Sequence, residues 1–334
     1  WGIDLDVVKP LRRLGNSLRR MRKMGAGETA RRIAFGRPDK GGGISRLLIY
    51  LILIIVGFVY VYPLLYMLST SMKSLSDLIN DGVVWLPTSL YLDNYKQALE
   101  VMKFKDTIVD TCLLSMIPAL LQVLCACLTG YAIARYRFPG RLLFLGLILL
   151  TFILPKQATL LPTYLLYKDY DIIGTLGVFA YPAALGQGLN AAIIILVFFQ
   201  FFSQTPRSMI EAAQLDGCGH FGVFFRICLP AVAAAFLIGF LFSLVWYWNE
   251  TYLTGLFITD SGLGNKQSMS TLLMELRRFE ASYKLLYPET GTVNRINEAI
   301  RMAGTMICIT PLMLVYFVLQ RFFVQSVDMV GIKE

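Results

Sequence analysis

The stretch RLLIYLILIIVGFVYVYPLLYMLS, residues 46–69, decides the fold class, because its single charged residue is Arg46 at the leading edge. A helix needs about 20 mostly apolar residues to cross the hydrocarbon core of a bilayer, so this stretch predicts a transmembrane span. Working outward, five more stretches qualify, at residues 107–134, 141–166, 178–202, 229–258 and 302–324. The predicted class is therefore an all-α polytopic membrane protein with six transmembrane helices and both termini on one side. Each span carries a proline, namely Pro63, Pro118, Pro155, Pro182, Pro230 and Pro311. Membrane helices tolerate proline because neighbouring helices and Ser/Thr side chains satisfy the carbonyls it frees.

Whole-chain composition agrees. The chain is 56% hydrophobic and 16% charged, with a mean hydropathy of +0.59, whereas soluble domains run near 45–50% apolar and about 25% charged. Its 22 Phe and 17 Tyr exclude an intrinsically disordered chain, which is poor in aromatics. Six cysteines in 334 residues are too sparse for a disulfide scaffold, and none has metal-ligand spacing, so they read as packing residues in a reducing compartment.

The net charge of +9 asks for a reason. Six spans would place 19 Lys and Arg on the side of the termini and 12 on the other. Basic residues near span ends stay cytoplasmic, which predicts an N-in, C-in orientation. The loop 259–301, with six basic residues, dissents but is long. The charge is thus topological rather than a nucleic-acid footprint, and no nucleic-acid partner is expected. Most of it sits in a basic cytoplasmic leader, residues 1–45, which does not read as a cleavable signal. There Leu11, Leu14, Leu18 and Met21 fall at helical spacing among arginines. That pattern suits an interfacial helix on anionic membrane lipids or a solvated basic tail, and both readings stay open.

Between the fourth and fifth spans lies TPRSMIEAAQLDGCGHFGVFFRICLPAV, residues 205–232. Thr205 can cap a helix and Pro206 suits its first turn. Gly217 can end that helix in a left-handed conformation, and a second short apolar segment follows. Two short helices joined by a bend along the inner face of the membrane suit contact with another protein. His220, the single histidine, makes no metal site and reads as a packing or interface residue.

Glu211-Ala212-Ala213, Asp216-Gly217, Ile227, Leu229 and Pro230 resemble the EAA motif, E-A-A-x-x-D-G-(A)-x8-I-x-L-P, of the membrane subunits of binding-protein-dependent ABC importers. Cys218 stands where alanine is usual. The resemblance implies a six-span permease domain, residues 46–325, of a multi-pass protein of the bacterial plasma (inner) membrane. Its coupling loop, residues 203–228, would dock on an ATPase through Glu211, Ala212, Ala213, Asp216, Gly217, Leu229 and Pro230. Implied partners are a second permease, two cytoplasmic ATPase subunits and an extracytoplasmic solute-binding protein. ATP and magnesium would sit on the ATPases, leaving no catalytic residue, cofactor or metal here. Consistently, GLGNKQS, residues 262–268, lacks phosphate-loop spacing.

STSMKSLSDL (69–78), WLPTSLYLDNYKQAL (85–99) and the C-terminal TPLMLVYFVLQRFFVQSVDMVGIKE (310–334) resemble carbohydrate-uptake permeases, specifically the six-span permease of the maltose importer. That resemblance implies binding-protein contacts at Asn94, Tyr95, Gly262, Gly264 and Asn265, and a tail, residues 326–334, against the ATPases. For the ligand path, Trp246, Tyr247, Trp248, Asn249, Glu250 and Tyr252 combine aromatic faces with polar groups, and Gln157, Gln187 and Asn190 add neutral amides. The alternative is an interfacial aromatic belt with a hydrated Glu250. Rival functions are an importer of amino acids, peptides or ions, and a secondary transporter.

Overall fold

A computed structural model describes residues 36–37, 40–41, 43–83, 85–259, 269–288 and 296–331. The chain divides into two compact units, Trp1–Tyr66 and Met67–Glu334. The described part of the first unit holds a short antiparallel pair, β1 (Gly36–Arg37) and β2 (Lys40–Gly41), and most of α1 (Gly43–Ser71). The leader segment proposed as an interfacial helix lies outside the described residues.

The second unit is helical. It contains α2 (Leu75–Ile79), α3 (Asp93–Val101), α4 (Phe104–Arg135), α5 (Arg141–Ile153), α6 (Lys156–Asp169) and α7 (Gly177–Ala184). There follow α8 (Ala191–Gln204), α9 (Arg207–Leu215), α10 (His220–Ala231, with a π turn at Phe224–Cys228) and α11 (Ala233–Asn249). Short α12 (Tyr252–Thr254) runs into a second π turn, Gly255–Thr259, before α13 (Leu272–Arg277), α14 (Phe279–Leu286) and α15 (Glu298–Gly331). Residues 326–331, read as a tail, thus continue the last helix.

Among the described residues three helices, α1, α4 and α15, are long and apolar enough to cross a membrane; the number reaches up to six if each bent pair, α5 with α6 (95°), α8 with α9 (69°) and α10 with α11 (71°), is one span. Pro63, Pro118, Pro182 and Pro311 lie inside helices as expected. Three predicted spans are not continuous helices. In 141–166, Leu154 is extended at ψ 124° ahead of Pro155, which caps α6 rather than continuing α5; the ring of a proline disfavours the helical region for its predecessor. In 178–202, Gly186 (φ 77°) and Asn190 (φ 52°) take the backbone out of the helix between α7 and α8. In 229–258, Glu250 is extended at ψ 108° and ends α11.

α4 is the axis of the second unit, packed against α7, α8 and α11. In a bilayer, lipid tails are as apolar as leucine, so helices associate through close packing and internal hydrogen bonds. Three buried clusters achieve this. Near the start of α4, Met102, Trp248, Leu272, Phe279 and Ile300 pack together. At its middle Leu114, Phe179, Leu244, Tyr247 and Ile258 do so. At its end, Val123, Phe198, Phe202, Phe224 and Val232 close the core. Thr111 and Ser115 return their hydroxyls to carbonyls one turn back, at 2.5 and 2.6 Å, and Leu272 N donates to Thr111 Oγ1 at 2.9 Å, seating the start of α13 on α4.

The segment after α1 is fastened by polar side chains. Asn94 Nδ2 donates to the Ser71 and Lys73 carbonyls, both at 2.9 Å, and Tyr95 Oη meets Ser71 Oγ at 2.7 Å. Asp77 accepts from the Thr88 hydroxyl at 2.6 Å and the Thr88 amide at 3.2 Å. The Thr88 hydroxyl bond is the largest influence in holding the Asp77 carboxyl below its ordinary value of 3.8. The 69–99 stretch thus forms a buckle in which Asn94 and Asp77 satisfy a turn-rich backbone.

Candidate functional site

The segment 205–232 is built as its residue types dictate. Pro206 precedes α9, and the helix ends in paired C-terminal bonds. Cys218 N donates to Ala213 O and Gly217 N to Gln214 O, each at 3.0 Å, while Gly217 is left-handed at φ 83°. This is the Schellman arrangement, in which the left-handed residue is most readily glycine. Of the motif residues, Glu211, Ala212, Asp216, Gly217 and Pro230 are exposed and Leu229 is half-buried. Ala213 is buried at 7% exposure, in one cluster with Phe202, Val223 and Phe224. His220 is exposed, its ring 6.4 Å from that of Tyr136.

Sequence reading missed the apolar part of this surface. Leu215 is 89% exposed and Phe221 82%, with Met209 and Phe225 also open. The available signal was the position of Leu215, directly before Asp216-Gly217, on the outer face of a helix whose buried face is supplied by Ala213. Beneath the surface, Tyr131 lies 4.7 Å from the Phe224 ring and 5.2 Å from that of Phe202, and Arg135 Nη2 donates to Thr205 O at 2.9 Å. α9 and α10 are thereby joined to the ends of α4 and α8.

A second feature is a half-open cleft of about 1080 Å³ walled by α5, α6, α7, the turn 185–190 and α11, at the upper end of the range of ligand pockets. One wall is a side-chain face: Lys156, Thr159, Thr163, Tyr167 and Tyr170 line it at the spacing of one face of a helix. That spacing was readable in the sequence and was missed. Another stretch of the lining is the turn from Gly186 through Asn190.

A buried network fixes that backbone. Gln122 Nε2 donates to Leu189 O at 2.8 Å and Ser243 Oγ at 3.1 Å. Tyr247 Oη donates to Gln122 Oε1 at 2.8 Å and accepts from Leu189 N at 3.1 Å. Gly188 is required by close approach, since a Cβ there would lie 2.2 Å from Gln122 Oε1 and 2.5 Å from Tyr247 Oη. Backbone leaving a helix at membrane depth is tolerated where it lines a cavity or is buried in protein, and here it does both.

Of the proposed ligand-path residues, Asn190 and Gln187 line this cleft. Gln157 is exposed on α6 outside the lining. Trp248 is buried in the cluster near the start of α4, and Trp246 stacks on Phe242 at 5.9 Å. Asn249 returns its Nδ2 to Val245 O at 2.9 Å. Glu250 Oε1 accepts from Leu253 N at 2.9 Å, and Tyr252 is exposed. The run 246–252 therefore reaches the cleft through Tyr247.

Among the expected binding-protein contacts, Asn94 is 2% exposed and committed to the buckle, with Tyr95 half-buried beside it. Gly262, Gly264 and Asn265 lie outside the described residues. Beyond the buckle, Glu280 bonds Lys284 at 3.2 Å and Arg301 at 3.1 Å, and Lys284 chiefly holds its carboxyl below the ordinary range. The Glu100 carboxylate accepts the Tyr287 hydroxyl and pushes that phenol up to about 12. No group of three or more His, Cys, Asp or Glu that could hold a metal occurs among the described residues.

The chain is similar to the arabinooligosaccharides transport system permease protein AraQ of Halalkalibacterium halodurans, 26% identical over 281 residues, covering 83% of this chain and 93% of AraQ. It is similar also to the polygalacturonan/rhamnogalacturonan transport system permease protein YtcP of Bacillus subtilis, 25% identical, covering 86% and 97%. A third relative is the sn-glycerol-3-phosphate transport system permease protein UgpE of Brucella abortus, 27% identical, covering 85% and 96%. Among solved structures, a bacterial ABC transporter involved in the import of the acidic polysaccharide alginate shares the fold, with a TM-score of 0.63 at 19% identity over 84% of this chain and 96% of that one. The family described as binding-protein-dependent transport system inner membrane component matches residues 122–329, a span that holds α8 to α11, the EAA motif and Gln122 itself. The chain belongs to that family.

Proposed function

We propose that this chain is one of two permeases of an ATP-driven importer that carries a sugar or oligosaccharide from an extracytoplasmic binding protein into the cytoplasm. The observation that carries the reading is the coupling surface: an EAA helix ended by a Schellman turn, with Glu211, Leu215 and Phe221 open to a partner in a chain of this family. In this reading α1, α4, α5 with α6, α8, α11 and α15 are the six spans, both termini are cytoplasmic, and α9 and α10 lie along the inner face of the membrane. Two ATPase subunits carry ATP and magnesium. Their closure draws the coupling loops of this chain and of the second permease together and rocks the permeases between inward- and outward-open states, a rigid-body form of alternating access. Glu211, Ala212, Asp216, Gly217 and Pro230 meet the ATPase, while Ala213 and Leu229 seat the loop. Asn190 and Gln187 face the ligand. Tyr95 and the outer loop with Gly262, Gly264 and Asn265 approach the binding protein. The names of the arabinooligosaccharide and polygalacturonan relatives support carbohydrate as the ligand class. A second reading, a small phosphorylated polyol, has the glycerol-3-phosphate relative in its favour.

The test is purification of the complex and measurement of ATP hydrolysis with and without a sugar-loaded binding protein. An ATPase is expected to co-purify and to be stimulated several-fold. Its absence would sink the proposal. Glu211→Lys and Leu215→Asp are expected to abolish uptake while the membrane domain retains its wild-type thermal unfolding; wild-type uptake in both variants would remove the coupling assignment.

A further inference from the structure

The cleft between α5, α6, α7 and α11 contains a lone ammonium. Lys156 is the one Lys, Arg, Asp, Glu or His among its lining residues. Its Nζ makes no ion pair or hydrogen bond with any described residue. Glu250 acts on it electrostatically, but that carboxylate is held by Leu253 N at the end of α11. A cation inside a membrane domain is costly and normally faces a partner or a water-filled cavity. The groups around Lys156 are those that hold carbohydrate. Tyr167, Tyr170 and Tyr181 offer ring faces and hydroxyls, and Thr163, Gln187 and Asn190 offer neutral donors and acceptors. The Thr163 hydroxyl donates to the Thr159 carbonyl at 2.7 Å, which leaves its lone pairs open toward the cleft.

We infer that the cleft receives a carbohydrate bearing an anionic group, a uronate carboxylate or a phosphate ester, which Lys156 holds while the tyrosines and amides take the sugar rings and hydroxyls. This rests on the importer reading and names the chemistry of its ligand. A carboxylate or phosphate adds to the ammonium's hydrogen bond a charge–charge attraction that a neutral hydroxyl lacks, so Lys156 discriminates for the anion by about tenfold.

The experiment uses the whole permease–ATPase complex in nanodiscs without ATP or binding protein, and saturation-transfer NMR with three probes. These are a galacturonate trisaccharide, a neutral galactose trisaccharide and glucose 6-phosphate. The galacturonate or the phosphate is expected to bind about tenfold more tightly than the neutral sugar, and which of the two binds identifies the anion. K156Q is expected to lose that preference, K156R to keep it, and E250Q, by removing the competing carboxylate, to strengthen it. Equal binding of acidic and neutral probes, or an unchanged preference in K156Q and E250Q alike, overturns the inference. Uptake of a neutral oligosaccharide by the complete importer, with neither acidic probe bound, also overturns it while leaving the importer reading in place. If the complete importer takes up no carbohydrate of any charge, the importer reading falls as well.

Discussion

Ala212 and Ala213 stand side by side in the EAA motif, yet Ala212 is exposed on α9 and Ala213 is packed in the cluster of Phe202, Val223 and Phe224. The same substitution should therefore act in two ways. Ala213→Leu overpacks the seat of the coupling helix and is expected to cost about 1–3 kcal/mol, visible as a lowered unfolding midpoint of the detergent-solubilised chain. Ala212→Leu should change stability by no more than about 0.5 kcal/mol and instead weaken ATPase co-purification. Equal midpoint shifts in both would contradict the assigned orientation of α9. In the cleft wall, Tyr247→Phe strips Gln122 Oε1 of its donor and Leu189 N of its acceptor. An unsatisfied buried polar group costs about 1–3 kcal/mol, so destabilisation of that order is expected. Gly188→Ala should be worse, because the added methyl meets Gln122 and Tyr247 together. Ser243→Ala removes one acceptor from an amide that keeps its bond to Leu189 O and should be the mildest of the three in the same thermal assay.

At the scale of elements, two short segments are set by local polar bonds rather than by apolar packing. In the buckle, the Asp77 carboxyl is depressed by its bonds to Thr88 and Ser74. A depressed carboxyl contributes stability at pH values above its unfolded value, and that contribution is lost as pH falls through its folded one. The local opening equilibrium across residues 72–91, read from hydrogen exchange corrected for the intrinsic pH dependence of the amides, should thus be flat from pH 7 to about 5 and rise only below the ordinary aspartate range. Asp77→Asn should remove the acid dependence. Loosening that begins near pH 6 in the native chain would point to another group. The second segment is the end of α9. A left-handed conformation costs a residue with a Cβ about 1–2 kcal/mol, so Gly217→Ala is expected to fray the helix terminus and lower uptake, with Gly217→Asn a milder change because asparagine tolerates that region better.

At the scale of the whole molecule, packed contacts run from the exposed coupling helices through Tyr131, Phe202 and Phe224 to α4 and α8. They continue along α4 and α11 to the Gln122–Tyr247 network behind the cleft. Tyr131→Ala is expected to leave the ATPase docked and hydrolysing while sugar moved per ATP falls several-fold; an unchanged ratio would show that force travels by another route. The part of this layout legible in the sequence was contiguous or periodic: apolar runs for the long helices, and the fixed spacing from Glu211 to Pro230 for the family. What escaped it was long-range. Gln122 finds Leu189, Ser243 and Tyr247 at separations of 67, 121 and 125 residues, and no local pattern announces such partners. Trp248 and Tyr247 are adjacent aromatics in one run, and only the rotation of α11 sends the first into the core and the second to the cleft. Pro155 was visible, but whether a membrane proline bends a helix or breaks it depends on what its neighbours can satisfy. The two walls of the cleft also differ in how they can change through evolution. The face on α6 presents Lys156, Thr159, Thr163 and Tyr167, so single codon changes can retune what it recognises. The turn 186–190 has its backbone shape dictated by Gln122 and Tyr247 on two other helices, so mutation at Gly188 breaks the wall before it respecifies it. New ligand preferences in this lineage should accordingly accumulate on α6, which makes that helix the place to begin redesigning what the importer accepts.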